Sequence, residues 1–202
     1  MKKRAVLLAV LLAAFVVVNT SAWAQSICDA VSGNLVVNCG FETGDFTGWS
    51  FTGNTGFSGV TSSVTYVNSG TYGAYLGPVG SDGFLSQNVG AAGVTSYAVS
   101  FYLYNDGGSP NDFTVYWNGV DVGPDLVDAS GFSYSLFGGV LSGNPCAGCN
   151  TLTFGFRQDP AYWGLDDIVV LGGTSVPEPS SLILMGSGIL GLAGVIRRKL
   201  GA

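Results

Sequence analysis

Between residues 25 and 175, short runs of β-branched and aromatic residues alternate with clusters of glycine, serine and asparagine. No window there has apolar residues at helical spacing, and short runs bounded by turn residues are typical of strands. The dense spacing leaves no room for crossover helices, which disfavours a parallel α/β sheet. We therefore predict an all-β fold, a two-sheet antiparallel β-sandwich of the jelly-roll type. The predicted strands are Asn34–Asn38, Ser63–Val67, Tyr72–Leu76, Gly83–Val89, Tyr97–Asn105, Asp112–Trp117, Phe132–Val140, Thr151–Arg157 and Asp166–Leu171.

Two of these runs also predict how their strands are buried. Tyr97–Tyr104 is almost continuously apolar, which predicts a central strand packed on both faces. Thr151–Phe156 alternates apolar residues with threonine and glycine, which predicts a half-buried strand. The connecting loops are predicted at Gly53–Gly59, Gly77–Ser81, Asp106–Asn111 and Gly143–Asn150.

An apolar segment at the beginning of the sequence has the features of a secretory signal peptide. Basic residues at positions 2–4 precede the apolar run Ala5–Val18, and Ala22-Trp23-Ala24 forms a small-x-small cleavage site. Residues 1–24 are therefore predicted to be removed on export, and the alternative is an N-terminal membrane anchor. An ectodomain of residues 25–175 would follow the cleavage site.

The last 27 residues, 176–202, form a tail of three parts. A Pro-Glu-Pro motif (Pro177, Glu178 and Pro179) precedes an apolar stretch, Leu182–Ile196, and a basic stop (Arg197, Arg198 and Lys199) follows it. The apolar stretch is shorter than the roughly 20 residues of a typical membrane span, but adjacent serines and snorkelling basic side chains extend it. We predict a transmembrane helix with the basic stop in the cytoplasm and the ectodomain on the other side.

This tail resembles the PEP-CTERM sorting signal of Gram-negative bacteria. The resemblance implies an exported protein that is held in the inner membrane through the C-terminal helix and processed there by an exosortase. The cell surface or the extracellular matrix would be its destination, and both final anchoring and release remain open.

The ectodomain is strongly acidic. Arg157 is its single basic residue, against twelve acidic residues, so its net charge is −11. Such a surface repels nucleic acid and anionic lipid, and it suits calcium or neutral glycans. The prediction is that nucleic acid is not a partner.

The absence of histidine from the chain excludes the commonest general base near neutral pH. Ser-His-Asp and Cys-His catalysis are excluded with it. Two carboxylates could still act on a glycosidic bond, but no spacing marks an acid–base pair. We therefore predict that the protein is not an enzyme. The acidic candidates considered are Glu42, Asp45, Asp106 and Asp166.

All four cysteines lie in the exported region, where an even number favours disulfides. Three pairings are possible, and we favour Cys28–Cys39 with Cys146–Cys149 because each pair is close in sequence. The second pair forms a C-x-x-C motif between strand-like runs without a βαβ pattern. A disulfide that staples a loop is therefore favoured over a thioredoxin-like redox site.

The ectodomain opens with NLVVNCGFETGDFTGW (residues 34–49) and closes with LTFGFRQDPAYWGLDDIVV (residues 152–170). With the runs between them, these segments resemble jelly-roll carbohydrate-binding modules and many PEP-CTERM ectodomains. Cys39 stands where a glycine is usual in such modules, which supports its pairing with Cys28.

The same resemblance implies a structural calcium between the first and last strands. The matching positions are Glu42 and Asp167, and calcium takes carboxylate and carbonyl oxygens as ligands. The alternative is that Glu42 and Asp166 cap turns, with Asp167 solvated or paired with Arg157.

Sugar recognition needs aromatic rings beside amides or carboxylates. The candidate ligand-binding residues are Tyr104, Asn105, Trp117 and Asn118. The alternative is that most aromatic residues fill the core, Trp49 and Trp163 above all. The resemblance implies a matrix protein that binds exopolysaccharide, and the alternative is a structural surface or biofilm protein with no specific ligand.

Overall fold

The computed structural model describes residues 25–173. The predicted signal peptide and C-terminal transmembrane helix lie outside this range. Within it, no helix is both long and apolar enough to cross a membrane. A 3-10 helix, Ile27–Ala30, precedes eleven strands: β1 Ser50–Gly53, β2 Ser58–Thr61, β3 Gly73–Leu76, β4 Gly83–Val89, β5 Ser96–Asn105, β6 Asn111–Trp117, β7 Val120–Asp121, β8 Leu126–Val127, β9 Phe132–Ser142, β10 Asn150–Gln158 and β11 Trp163–Gly173.

The strands form two antiparallel sheets. One has six strands in the order β1-β4-β10-β6-β7, with β8 also paired to β6, and the other has five in the order β2-β3-β11-β5-β9. The predicted two-sheet antiparallel sandwich is therefore confirmed. Strands β3 to β6 and β9 to β11 correspond to predicted strands, with ends shifted by a few residues in most of them.

Two predicted strands are wrong. Asn34–Asn38 makes a single bridge, between Asn34 and Leu171, because the Asn34 amide bonds the backbone of Ile168 (3.1 Å) and Val170 (2.9 Å) and the chain then turns. Ser63–Val67 is a turn, closed by the Tyr66 N–H donating to the Ser63 carbonyl (2.9 Å).

Strands β1, β2, β7 and β8 were not predicted. Strand β2 overlaps the predicted loop Gly53–Gly59, so that loop is too long. These four strands have two to four residues each and lie at the edges of the sheets. An edge strand of this length carries too few inward positions to show an apolar alternation.

Strand β5 is central, as predicted, but only one of its faces is packed. Its inward residues Tyr97, Val99, Phe101 and Leu103 are buried, whereas Tyr102 and Tyr104 on the outer face are half-buried. The outward residues are tyrosines, whose rings count as apolar while their hydroxyls can stay near water. Strand β10 alternates as predicted, with Leu152, Phe154 and Phe156 fully buried.

Aromatic rings dominate the core between the sheets. The Phe101 ring lies 5.1 Å from the Phe154 ring, and Phe113 contacts Trp163 at 5.5 Å between centroids. Each buried side chain of this size contributes about 1.5–3 kcal/mol to stability. Trp49 and Trp163 both belong to this core.

Both disulfides have the predicted pairing, Cys28–Cys39 and Cys146–Cys149. The first fastens the N-terminal segment, and the second closes the loop between β9 and β10.

Candidate functional site

Five tyrosines cluster on the outer face of the five-stranded sheet, which we call the tyrosine face. The cross-strand register places Tyr75 of β3 and Tyr104 of β5 on either side of Gly164 in β11. Since glycine has no side chain, the flanking tyrosine rings have room above the central strand. The members of the tyrosine face are Tyr66, Tyr75, Tyr104, Tyr134 and Tyr162.

Tyr66, from the turn between β2 and β3, contacts three other rings of the tyrosine face. Its centroid lies 6.2 Å from Tyr75, 5.9 Å from Tyr104 and 5.8 Å from Tyr162. Two of these contacts are edge-to-face, the geometry that aromatic pairs prefer. The rings therefore support one another although each is only half-buried.

Asp106 links two tyrosines through its carboxylate. Tyr66 Oη donates to one carboxylate oxygen and Tyr104 Oη to the other, each at 2.7 Å. The hydrogen bond to Asp106 raises the pKa of the Tyr104 hydroxyl, and burial followed by the same kind of bond raises the pKa of Tyr66. Both hydroxyls therefore stay protonated and fixed in direction at neutral pH, and Asp106 itself is exposed.

Tyr134 of β9 completes the tyrosine face on its far side, 5.6 Å from the Tyr104 ring. Its hydroxyl is buried, without a hydrogen-bond partner among the described residues. Burial, and then the negative charge of Asp166, raises the pKa of this hydroxyl. A Cβ atom on Gly164 would lie 2.7 Å from it, so glycine at position 164 is needed for this ring to pack.

The opposite end of the tyrosine face borders a small cleft beside Tyr162. The cleft has a volume of about 170 Å³, and Phe57, Gln158 and Pro160 are among its lining residues. Phe57 is 67% exposed, and the Gln158 Oε1 atom is buried without a hydrogen-bond donor among residues 25–173. The cleft thus offers an exposed ring, whereas the Gln158 side chain is fully buried and its amide donates to Asn105.

The four residues predicted to bind a ligand do not come together. Tyr104 belongs to the tyrosine face, but Asn105 is 1% exposed and its amide donates to the Ala129 carbonyl (3.1 Å). Trp117 is 4% exposed, and its indole N–H donates to the Ser142 carbonyl (2.8 Å). Asn118 is exposed beyond the end of β6 and bonds Thr151 (2.9 Å). Because Asn105 and Trp117 point into the core, neither offers a surface to a sugar.

Sequence reasoning missed four members of the tyrosine face: Tyr66, Tyr75, Tyr134 and Tyr162. The alternation of Tyr102 and Tyr104 in β5 was a usable signal for one outward stripe. Tyr66 lies in a turn and Tyr162 just before β11, where no periodicity operates.

A second polar cluster lies beside the tyrosine face on the same sheet, at a β-bulge in β11. The register of β11 against β5 shifts between Asp166 and Val169, and Asp167 has a left-handed backbone (φ 51°). Consecutive strand residues normally point to opposite faces, but a bulge changes this. Asp166 and Asp167 therefore both contact Asn68 and Ser69.

Asp167 is buried and joins three parts of the chain. It accepts hydrogen bonds from the hydroxyl of Ser26 and the N–H of Cys28 (3.2 Å), and from Asn68 Nδ2 (2.7 Å) and the Ser69 hydroxyl (2.7 Å). It is therefore not solvated, and it is not paired with Arg157, which bonds Asp159 instead (2.9 Å).

Asp166 is also fully buried and accepts three backbone N–H bonds, including that of Asn68 (2.8 Å). Burial, and then the charge of Asp167, raises the pKa of Asp166 to about 8. Glu42 lies on the other side of the same segment and accepts from the N–H groups of Thr71 (2.9 Å) and Tyr72 (3.2 Å). Three carboxylates thus hold residues 68–72.

The carboxylates around residues 68–72 are oxygen ligands of the kind that calcium takes, and each of them already accepts N–H or O–H hydrogen bonds. Asp167 is buried and Arg157 bonds Asp159, so a calcium ion would offset the charge of Asp167, whereas the raised pKa of Asp166 keeps that carboxyl largely protonated at neutral pH. Glu42 and Asp167, the predicted pair, contact neighbouring residues of one segment. Within the described range, the one compact group of three metal-capable side chains is Cys28, Asp29 and Cys39, whose two thiols form a disulfide.

The residues of the predicted sorting motif (Pro177, Glu178 and Pro179) and of the basic stop (Arg197, Arg198 and Lys199) lie outside the described residues. Sequence comparison covers them: residues 175–199 match the family model of the PEP-CTERM protein-sorting motif. The curated proteins contain no significant sequence match to the chain.

Several solved structures share the fold. A carbohydrate-binding module, TmCBM61 in complex with β-1,4-galactotriose, has 20% identity and a TM-score of 0.55, covering 69% of this chain and 99% of its own. The CBM22-1 xylan-binding domain of Paenibacillus barcinonensis Xyn10C has 18% identity and a TM-score of 0.50, covering 71% and 97%. The enzymatically active domain of tailspike protein 4 of bacteriophage CBA120 has 11% identity and a TM-score of 0.52, covering 70% and 22%.

At these identities the similarity shows the fold, a β-sandwich of the carbohydrate-binding-module type. Residues 175–199 identify the chain as carrying a PEP-CTERM protein-sorting motif, which implies export and processing by an exosortase.

Proposed function

We propose that the exported domain binds carbohydrate through the tyrosine face, and that its ligand is a neutral, extended polysaccharide of the cell surface or biofilm matrix. The observation that carries this proposal is the cluster of half-buried tyrosines joined by Asp106. Aromatic rings stack on the apolar faces of sugars, and polar groups beside them bind the hydroxyls. The tyrosine face offers both.

The dimensions of the tyrosine face suit a chain of sugars. Neighbouring strands lie about 4.8 Å apart, so the five strands from β2 to β9 span about 19 Å. The cleft beside Tyr162, with Phe57 at its rim, extends the same surface. A single sugar would leave most of these rings uncovered, so we propose an oligosaccharide segment as the recognised unit.

The charge of the domain argues for a neutral ligand. Arg157 is the single basic residue between residues 25 and 175, and its guanidinium already bonds Asp159. An anionic polysaccharide would meet Asp106 at the tyrosine face and a net charge of −11 around it. The similar modules that bind galactotriose and xylan support the proposal only by showing that the fold serves glycan binding in other proteins.

The test measures binding of residues 25–173 to the producing bacterium's exopolysaccharide and to a panel of neutral and acidic oligosaccharides. We expect saturable binding to a neutral glycan, weakened at least about tenfold by Tyr66→Ala or Tyr104→Ala. Tyr116→Ala is the matched control, because Tyr116 is a half-buried tyrosine on the outer face of the other sheet. A folded domain that binds no glycan would contradict the proposal and favour a structural surface protein.

We also propose that calcium binds at the segment of residues 68–72, with Glu42 and Asp167, the predicted pair, as its carboxylate ligands. When bound, the ion would neutralise buried negative charge and fix the segment that precedes the tyrosine-bearing strand β3. We expect calcium to raise the melting temperature of the domain and a chelator to lower it, with magnesium as the control ion. A melting temperature that responds to neither calcium nor chelator would contradict this proposal.

A further inference from the structure

The edges of the two sheets differ greatly in length. Strands β1 and β2 have four residues each, and β7 and β8 have two. Strand β9, at the free edge of the five-stranded sheet, has eleven residues, from Phe132 to Ser142. Exposed edges are usually shortened, charged or interrupted by proline, because their free N–H and C=O groups pair with other chains. Strand β9 contains no charged residue and no proline.

The absence of charge extends well beyond β9. No acidic or basic residue occurs from Ala129 to Phe156, in a domain with a net charge of −11. Two copies of such a domain repel one another when their acidic surfaces meet. Strand β9 lies within this neutral stretch, so the strand itself adds no charge to a contact between two copies, and acidic residues flank the loop of residues 122–124, which lines a pocket with Phe137.

Strand β9 also exposes large apolar side chains. Leu136 is 62% exposed and Val140 is 74% exposed, and both lie on the outer side of the sheet, opposite Tyr102 and Ala98 of β5. They border a shallow groove of about 450 Å³ that includes Phe137 and Gly138. Neither side chain belongs to the core or packs against it.

We propose that β9 pairs with β9 of a second copy of this chain, antiparallel and about a two-fold axis. An isologous contact requires a self-complementary surface, and an uncharged strand meets this condition in the antiparallel direction. In the register centred on Gly138, Leu136 of each copy lies opposite Val140 of the other, which covers both exposed side chains. Full pairing of eleven residues would supply about ten backbone hydrogen bonds, as many as a typical protein interface carries.

The pairing joins two five-stranded sheets into one sheet of ten strands. The two tyrosine faces then lie on the same side of a continuous surface, because Leu136 and Tyr134 point to the same side of β9. The dimer itself does not depend on the proposed glycan binding, but it would present two glycan sites in opposite directions along the strand axis.

Sedimentation of residues 25–173 over a wide concentration range tests the pairing. This fragment contains both sheets, the core and both disulfides. We expect a concentration-dependent monomer–dimer equilibrium whose dissociation constant rises at least about tenfold in Leu136→Lys and in Val140→Lys. Val64→Lys is the matched control, because Val64 is 91% exposed in a loop away from β9. The melting temperatures of the three variants verify that each is folded.

The double variant Leu136→Cys/Val140→Cys tests the register. Four residues along a strand span about 13 Å, which is too far for a disulfide within one copy, whereas the proposed register brings each cysteine opposite its partner position. We expect a covalent dimer on mild oxidation. A monomer at every concentration, or a dimer unaffected by both lysines, would overturn the proposal. Assemblies larger than a dimer would also overturn the proposal, since two-fold pairing occupies the whole edge of each copy. A monomer that binds lipid vesicles through Leu136 would overturn it as well.

Discussion

The outer faces of the two sheets have different chemistry although they are built alike. In each sheet a central strand carries a glycine beneath two aromatic rings: Gly164 beneath Tyr104 and Tyr134, and Gly155 beneath Phe84 and Tyr116. On the five-stranded sheet the rings continue into a cluster tied together by Asp106. On the six-stranded sheet, hydroxyls and charges surround them.

The six-stranded sheet satisfies its outer polar groups internally. Ser86 bonds Thr153 across β4 and β10 (2.9 Å), and Arg157 bonds Asp159. Asp112 of β6 lies opposite Arg157 of β10. Burial, and then the charge of Asp82, raises the pKa of Asp112 to about 6. The difference teaches that aromatic content alone does not mark the candidate site. The candidate site is distinguished by aromatic rings that contact one another and by polar groups at the rim of these rings.

The largest effect on stability is expected from removing the carboxylate of Asp167, in the polar cluster beside the tyrosine face. Asp167→Ala leaves the donors of Ser26, Cys28, Asn68 and Ser69 without an acceptor, and should lower the free energy of unfolding by about 3 kcal/mol or more. Asp112→Ala on the other face removes no side-chain hydrogen bond of this kind, and because burial raises the pKa of Asp112, it should not lower the free energy of unfolding at neutral pH. Urea denaturation measures both, and equal losses would contradict the distinction.

The two faces should also titrate differently. The folded-state pKa of Asp166 is raised to about 8 and that of Asp112 to about 6, above the unfolded value of about 3.9. At each of these two groups the folded state binds the proton more tightly than the unfolded chain does, so the contribution of the group to stability is greatest below about pH 4 and is lost as pH rises through its raised pKa. Melting temperatures are measured against pH in the presence of chelator. Asp166→Asn should reduce the fall in melting temperature between about pH 4 and pH 8, and Asp112→Asn should reduce it only between about pH 4 and pH 6. A difference of several degrees is expected, because 1 kcal/mol shifts the melting temperature of a domain of this size by about 2–4 °C. Unchanged curves in both variants would show that neither group drives the dependence.

A smaller effect is expected from the two central glycines, and it separates binding from stability. Gly164→Ala places a Cβ atom 2.7 Å from the Tyr134 hydroxyl, whereas Gly155→Ala places one 3.0 Å from the Tyr116 ring. Each should cost about 1 kcal/mol of stability, because the rings must shift. Glycan affinity should fall about three- to tenfold in Gly164→Ala and stay constant in Gly155→Ala. Calorimetric titration measures this, and equal affinity losses would remove the functional difference between the faces.

The smallest expected effect is that of salt. Because a neutral glycan carries no charge to screen, its affinity should change by less than about twofold between low and high ionic strength. Binding that weakens steeply with salt would indicate an anionic ligand or a bridging cation instead.

Much of the fold could be predicted from the sequence because buried strands carry an apolar signal. The alternation of Leu152, Phe154 and Phe156 located β10 and its inward face, and Gly83–Val89 matched β4 at both ends. This apolar signal gave a wrong prediction where tertiary contacts determine the backbone conformation. Asn34 looked like the start of a strand, but its side chain satisfies the backbone of β11 and the chain then turns away.

The candidate site was harder to predict, because it depends on side-chain direction and on a bulge. Trp117 and Tyr104 both lie in strands, yet one points inward and the other outward. For Trp117 the alternation of Phe113, Val115 and Trp117 with polar residues was a usable signal that the prediction did not use. The resemblance to carbohydrate-binding modules predicted that Glu42 and Asp167 lie near each other, and both contact the segment of residues 68–72. The alternative that Glu42 and Asp166 cap turns agrees with their bonds to the backbone N–H groups of residues 68–72. The bulge that brings Asp166 and Asp167 to one segment could not be foreseen, since strict alternation would turn them apart.

The hydrogen bonds of Asp167 to Ser26 and Cys28 join residues 141 and 139 positions apart. The N-terminal segment of the domain therefore has no docking place until the last strand is present. Closing so long a loop carries an entropic cost that is offset only when β11 arrives. Since the sorting motif begins two residues after β11, docking of the N-terminal segment requires almost the whole chain up to that motif.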